Sequence, residues 1–364
     1  MEPVLLIDKA GVQSTVQDHG RWGAQEQGVP ICGTIVPHWM EIANALVGNK
    51  ANTPGVEFQI LGPSISVKGG SVKVAVCGDV SLEILTESDA GSQTRKISAW
   101  RSFTLTQNDK LIVGAVHNTK GGFLAVSGGV NVPSFLGSAS TYMRSSLGGL
   151  EGRSLQVGDQ LELGKKAVEL SCCGDRLCPS APTIEETPIR VVLGPQAEFF
   201  EEKSIEAFFN AEFIISKNSD RMGARLEGKA LSHKTEFGSD LISEGVVPGS
   251  IQVPGNRQPI ILLNDGQTVG GYPKIATVVS ADLHRVANAL PGTQLHFEAV
   301  TAEEACLLAR SSKEKTQRII KSIMTASADG FVNLKALYET NLISGVVDMT
   351  EPSHFPGYLD ISER

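Results

Sequence analysis

Between Asn264 and Lys274 the sequence runs NDGQTVGGYPK, which sets a carboxylate, amides, a hydroxyl, a phenol and an ammonium around two adjacent glycines. Paired glycines let backbone approach a ligand closely, and Pro273 then fixes the chain ahead of Lys274. With Asp240 and Glu244 in the nearby SDLISEGVVPGSIQVPGN, this is the stretch best suited to chemistry on a polar small molecule. Three further clusters share its make-up. TVQDHGRWGAQEQGVP strings Gln17, Asp18, His19 and Arg21 between turn glycines. GSASTYMRSSLGGLEGRSLQVGD offers Tyr142, Arg144 and Arg153 in a long Gly- and Ser-rich loop, where guanidinium forks and freed amides can hold a carboxylate or phosphate. SKNSDRMGARLEG holds Ser219, Asp220, Arg221 and Arg225, and if Arg221 opens a strand, the two arginines share one face by period two.

The elements that must position these groups read as short strands. VLLID, SISVKGGSVKVAV, KLIVGAV, GFLAVSGGV, RVVLG, PIILLND and KIATVVS are β-rich runs bounded by Gly, Pro, Asn or Asp, the pattern of a mostly β protein with packed sandwich or barrel halves. Helices are few: one after Pro37 that Gly48 stops, one through Ile205 and Phe208, and one opened by the capping box of Thr301 and Glu304. Apolar periodicity breaks at CCGDRLCPSAPTIEETPI. We therefore divide the chain into a β-rich domain over 1–185, a second β domain over 186–300, and a helical and irregular appendage over 301–364.

With 364 residues, 41% of them hydrophobic, the chain can bury a large core, and a net charge of −8 excludes a global field that recruits nucleic acid or an anionic membrane. No window approaches a membrane span and the N-terminus lacks signal-peptide character, so a soluble, cytoplasmic protein is expected. Six cysteines make no disulfide framework; Cys172, Cys173 and Cys178 are read as free thiols in a linker and no metal site is expected. There is no G-x-x-x-x-G-K-[ST] nucleotide loop, no G-x-S-x-G elbow and no H-E-x-x-H pair.

Taken together, STVQDHGRWGAQEQGVP, STYMRSSLGGLEGRSLQVGDQL, SDRMGARLEG, SEGVVPGSIQVPGN and QTVGGYPKIATVVSADLHRV resemble the KipA family, also called the biotin-dependent carboxyltransferase or allophanate hydrolase subunit 2 family, over about residues 5–300. The resemblance implies β-barrel halves, the C-terminal one cyclophilin-like, and one of three roles. The first is the C subunit of an ATP-dependent 5-oxoprolinase, which with a KipI-type B subunit and an A subunit opens the lactam of 5-oxoproline to glutamate; the complex binds ATP. The second is carboxyl transfer from biotin to urea. The third is a regulator that binds a kinase inhibitor. GGYPKIATV resembles the oxoprolinase type. Departures are also visible: Cys32 stands where the family pattern has glycine, Val36 where it has an acid, and Arg257 where PGNGQP has its second glycine.

A lactam with a carboxylate needs cations, an acid or base, and donors aimed at a developing oxyanion. Under the resemblance, Lys274 is the point charge, Asp265 the base at the end of the buried run PIILLN, and Glu244 a further catalytic carboxylate. Gln267, Thr268, Tyr272 and the Gly270–Gly271 amides are donors, and Arg221 and Arg225 are carboxylate forks. Asp18, Arg21, Tyr142, Arg144 and Arg153 complete the expected substrate contacts.

Overall fold

The computed structural model describes residues 3–88, 91–165, 167, 174–183, 185 and 187–326. Cys172, Cys173 and the part of the expected appendage beyond residue 326 lie outside them. The chain is mainly β, as its run lengths indicated. The first half is two packed sheets. One has six strands, in the order Gln160–Glu162, Val4–Lys9, Ser64–Lys68, Asp109–Val116, Val80–Ser88 and Gly91–Ile97; the other has five, Val12–Gln17, Gly55–Gln59, Gly121–Val126, Val72–Cys77 and Ser102–Leu105.

Period two explains why the central strands of the five-stranded sheet are buried throughout. In VKVAVC, Val72, Val74 and Val76 face the six-stranded sheet, whereas Ala75 and Cys77 face a second core. That second core is built on helix α1 (Pro37–Leu46), whose Trp39, Met40, Ile42, Ala43 and Leu46 form one apolar stripe behind a proline in the first turn. Val36, at the N-cap, is fully buried in the same core, so this position delivers no polar group.

The second half is an eight-stranded sheet in the order Gln294–Leu295, Phe213–Ile215, Gly223–Gly228, Ile260–Leu262, Ser250–Gln252, Lys274–Val278, Ile189–Leu193 and Phe297–Ala299. Its two edge strands are separated in sequence by His296 alone, so the sheet curls back on itself as a nearly closed barrel. Its interior residues, among them Ile251, Ile261 and Ile275, belong to the same apolar cluster as α1, so one core joins the halves. Helix α2 (Glu202–Asn210) follows the pattern read for it, and helix α3 (Ser280–Ala287) is an addition to the helices read from sequence. Helix α4 (Ala302–Lys321) has both hydrogen bonds of the Thr301–Glu304 capping box, and Ile319 and Ile320 at its end pack on the α1 core.

Where α1 meets α3, the His38 and His284 rings lie edge-on with centroids 4.3 Å apart. Burial, then the neighbouring imidazole, holds His38 well below its ordinary value, and burial holds His284 down at about 4 against 6.5. The native state thus resists a proton that the unfolded chain accepts. Stability is expected in full above about pH 6.5 and to fall as pH drops toward 4, by on the order of 3 kcal/mol for His284 alone. Urea midpoints that match at about pH 7 and pH 5 would contradict this.

Candidate active site at the junction of the two halves

Arg221 is the residue around which the junction is organised. It lies before its strand, in the turn ahead of Gly223–Gly228, and is buried, whereas Arg225 within the strand is exposed. The expected pair of forks on one face is therefore corrected: the strand starts two residues late for it, and the two side chains lie in opposite environments. The Arg221 guanidinium also has its own chain's carboxylates as partners. Nε and Nη2 donate to Asp265 at 2.9 and 3.0 Å, Nη1 donates to Glu57, and Nη2 donates to the Gly33 carbonyl at 2.6 Å. Burial opposes its charge, but Asp265 and Glu57 more than offset that and push its pKa up.

Asp265 sits three residues past its strand, near the expected strand end, but as half of a two-pronged buried ion pair. A carboxylate held that way anchors structure, which argues against the role of free general base. Glu57, on the five-stranded sheet, also accepts from Thr34 Oγ1 and the Ile35 amide, both at 2.7 Å. Asn264 adds backbone stitches, accepting from the Cys32 amide at 2.8 Å and donating to the Thr34 carbonyl at 3.0 Å. Cys32 has φ 55° and Arg257 φ 64°, left-handed backbone in which glycine is unstrained, which fits the glycine of the expected family pattern at both. Burial, then Asp265, pushes the Cys32 thiol up to about 12, and the side chain is fully buried, which disfavours a reactive thiolate there.

The TVQDHGR cluster meets the 137–149 loop here. Asp18 accepts from the Gly20 and Ala139 amides and from the Ser138 and Ser140 hydroxyls, which makes it a clamp between loops. Arg21 is 1% exposed and donates through Nη2 to the Ser140 carbonyl; its Nε and Nη1 have no partner among the described residues. Two buried, unused donors on a guanidinium are where a ligand anion is best recognised. Gly148 (φ 65°) permits the arrangement, since a Cβ there would lie 2.1 Å from the Ser140 carbonyl and 2.8 Å from Arg21 Nη2. Tyr142 faces the same region: burial first, then Cys32 and Asp265, raises its phenol above the ordinary value. Arg144 is exposed, and Arg153 is spent within its own loop on Asp159, at 2.8 and 3.0 Å, and on Glu151. That removes Arg153 from the substrate contacts.

Lys274 forms a second group on the barrel. A register shift in the pairing of Ser250–Gln252 with Lys274–Val278 sets Lys274 opposite Gln252, and its ammonium, 7% exposed, pairs with Glu244, 44% exposed. The Lys274 hydrogen bond holds the Glu244 carboxyl below the usual range, so Glu244 is a positioned anion. Gln196 Nε2 also donates to Glu244, at 2.8 Å, and Gln267 Nε2 donates to Gln252 Oε1 at 3.1 Å; Gln252 Nε2 is buried with no partner among the described residues. Gly270 lies in a two-stranded ladder opposite Glu244, and a Cβ on it would come 2.3 Å from Gln252 Nε2, so this glycine makes room for the amide. Thr268 is buried, with its carbonyl accepting from Val246 N, and Gly271 accepts from Leu241 N, while Tyr272 is exposed at the rim. Glu57, Gln196 and Gln252 were missed in the sequence; only Gln252 had a signal, lying in the quoted IQVPGN. Among the described residues no three His, Cys, Asp or Glu side chains gather as metal ligands, and no helix is long and apolar enough to cross a membrane.

The family model for the carboxyltransferase domain, subdomains A and B, matches residues 27–299. The chain is 35% identical to the 5-oxoprolinase C subunit of Escherichia coli (strain K12), over 86% of this chain and 96% of that protein. It is 33% identical to the 5-oxoprolinase C subunit of Haemophilus influenzae, over 86% and 99%. The crystal structure of the K. lactis urea amidolyase superposes with a TM-score of 0.77 at 29% identity, covering 88% of this chain but 20% of that one. By motif order, fold and sequence, the chain belongs to the carboxyltransferase-domain family, subdomains A and B.

Proposed function

We propose that this chain is the C subunit of a cytoplasmic, ATP-dependent 5-oxoprolinase, opening the lactam of 5-oxoproline to L-glutamate with a KipI-type B subunit and an A subunit. The observation that carries the proposal is end-to-end correspondence. The chain accounts for 96% and 99% of two proteins named as C subunits of 5-oxoprolinase, but only a fifth of a urea amidolyase. The site chemistry fits. 5-Oxoproline offers a carboxylate, for which the Arg21 N–H groups unpaired among the described residues are the candidate partner. Its lactam carbonyl oxygen, once phosphorylated by ATP, activates the carbon toward water: the ring nitrogen then leaves with a proton, and hydrolysis of the resulting acyl phosphate gives glutamate and phosphate. Lys274, oriented by Glu244 and Gln196, is the cation for the charge that develops there, and the amides of Gln252 and Gln267 are neutral donors beside it. The sequence has no recognisable nucleotide loop, so ATP is assigned to the assembly as a whole.

Carboxyl transfer from biotin to urea is the second reading, favoured by the likeness to the urea amidolyase structure. Purified chain alone, and the chain with both partner subunits, should be assayed for ATP-dependent glutamate release from 5-oxoproline. The expected result is silence from the chain and turnover by the set. Robust turnover by the chain alone would overturn the account of it as one subunit of the assembly, and activity only with a biotinylated carrier and urea would replace it with the second reading.

A further inference from the structure

The most exposed aromatic side chain among the described residues is Trp22, 72% exposed on a turn between Gly20 and Gly23. A second apolar tip is tied to the same place. Phe135 and Ser138 exchange backbone hydrogen bonds at 2.8 and 3.2 Å around Leu136 and Gly137, whose φ values of 49° and 79° are both left-handed. Asparagine followed by glycine is the favoured pair for such a two-residue turn, and a leucine there is strained. Leu136 is also 41% exposed and Phe135 39%, and neither belongs to an apolar core. Strain and apolar exposure at one tip both work against the isolated chain, and burial against another molecule offsets them.

One carboxylate holds the two tips together. Asp18 accepts from the Gly20 amide, two residues before Trp22, and from the Ser138 hydroxyl, two residues after Leu136. Two residues of chain span at most about 7 Å, so both tips fit within the roughly 800 Å² that a protein partner covers on one side of a standard interface. Turn tips are convex, which suits a socket on another protein, whereas small molecules are held in concave sites. The tips also flank the candidate active site: Trp22 follows Arg21, and Ser140, whose carbonyl accepts from Arg21, comes four residues after Leu136. Arg144, further along the same loop, is exposed and makes no ion pair among the described residues. We infer that the Trp22 and Leu136 tips are the docking surface for a partner subunit, which brings an apolar socket for the tips and a carboxylate for Arg144. This rests on the reading of the chain as one subunit of an assembly. An isologous second copy would set the same convex tips and the same cation against themselves, so a different chain is the occupant. Trp and Arg are also the side chains that most often dominate such contacts.

The test uses the full chain, with the B and A subunits of the proposed assembly as probe, and reads assembled mass, affinity and the melting temperature of the chain alone. Trp22→Ser and Leu136→Asn should each weaken assembly at least about tenfold, and Arg144→Glu should weaken it more than Arg144→Gln. Leu136→Asn should leave the lone chain's melting temperature equal or higher, because asparagine tolerates left-handed backbone, whereas a merely structural leucine would be missed. Leu307→Ser, at an exposed leucine on α4, should change neither readout. Unaltered assembly by Trp22→Ser and Leu136→Asn, an equal loss in Leu307→Ser, a lower melting temperature in Leu136→Asn, or self-association of the chain that these substitutions abolish would each overturn the proposal. A parent chain that binds neither subunit would overturn the subunit reading and this surface with it. Assembly that forms without turnover, and that the tip substitutions weaken, would support the surface and fault the lactam reading alone.

Discussion

Arg221→Met is expected to lower the free energy of unfolding by about 3–5 kcal/mol, because it leaves two buried carboxylates, Asp265 and Glu57, without their shared cation. Methionine keeps most of the stem's packing, so the loss reports charge and hydrogen bonding. Four donor contacts vanish, among them the one to the Gly33 carbonyl, and Glu57 belongs to the first half while Asp265 belongs to the second. The variant should therefore weaken the attachment between halves, and its denaturant transition should broaden or split where the parent's is cooperative. Arg225→Met is the control: that side chain is exposed, and a change within about 0.5 kcal/mol is expected. A loss under about 1 kcal/mol for Arg221→Met would show that the network is not what holds the junction.

That network marks the limit of what the sequence reveals. Strand runs, the α1 stripe behind Pro37 and the Thr301 capping box are written in local patterns of period two or 3.6, and each is found where the pattern put it. The polar clusters were legible as clusters because glycine, serine and arginine gather in them, and the fold brings Arg21, Cys32, Tyr142, Arg221 and Asp265 to one junction. Their roles were not legible. Whether Arg221 binds a ligand or its own chain depends on Glu57, 164 residues away, which stands alone in the strand GVEFQ with nothing local to single it out. Asp18, read with Arg21 among the substrate contacts, is an acceptor for four loop donors, while Arg21 keeps donors without a partner among the described residues. Helix α3 went unread because SADLHRVA is short and has no strong cap, and its place is set by Asp282, which binds Arg190 across the fold.

The lactam-opening account rests most heavily on Lys274. Its ammonium is the one described site cation that is both nearly buried and paired with a largely exposed partner, so it can be removed without stranding a buried charge. Lys274→Met preserves the stem within the strand Lys274–Val278 and should leave the melting temperature and assembly with the partner subunits nearly unchanged. Loss of a preorganised charge at a developing oxyanion reduces turnover by about 10²–10³-fold, and kcat should fall by that order while KM for 5-oxoproline moves little. Glu244→Gln keeps the Lys274 charge and should lose far less. The deciding measurement is kcat for ATP-dependent glutamate release from 5-oxoproline by the reconstituted assembly carrying Lys274→Met, with the assembled mass confirmed. A drop of at least about a hundredfold in an intact assembly is predicted, and a rate close to the unsubstituted assembly's would contradict the account.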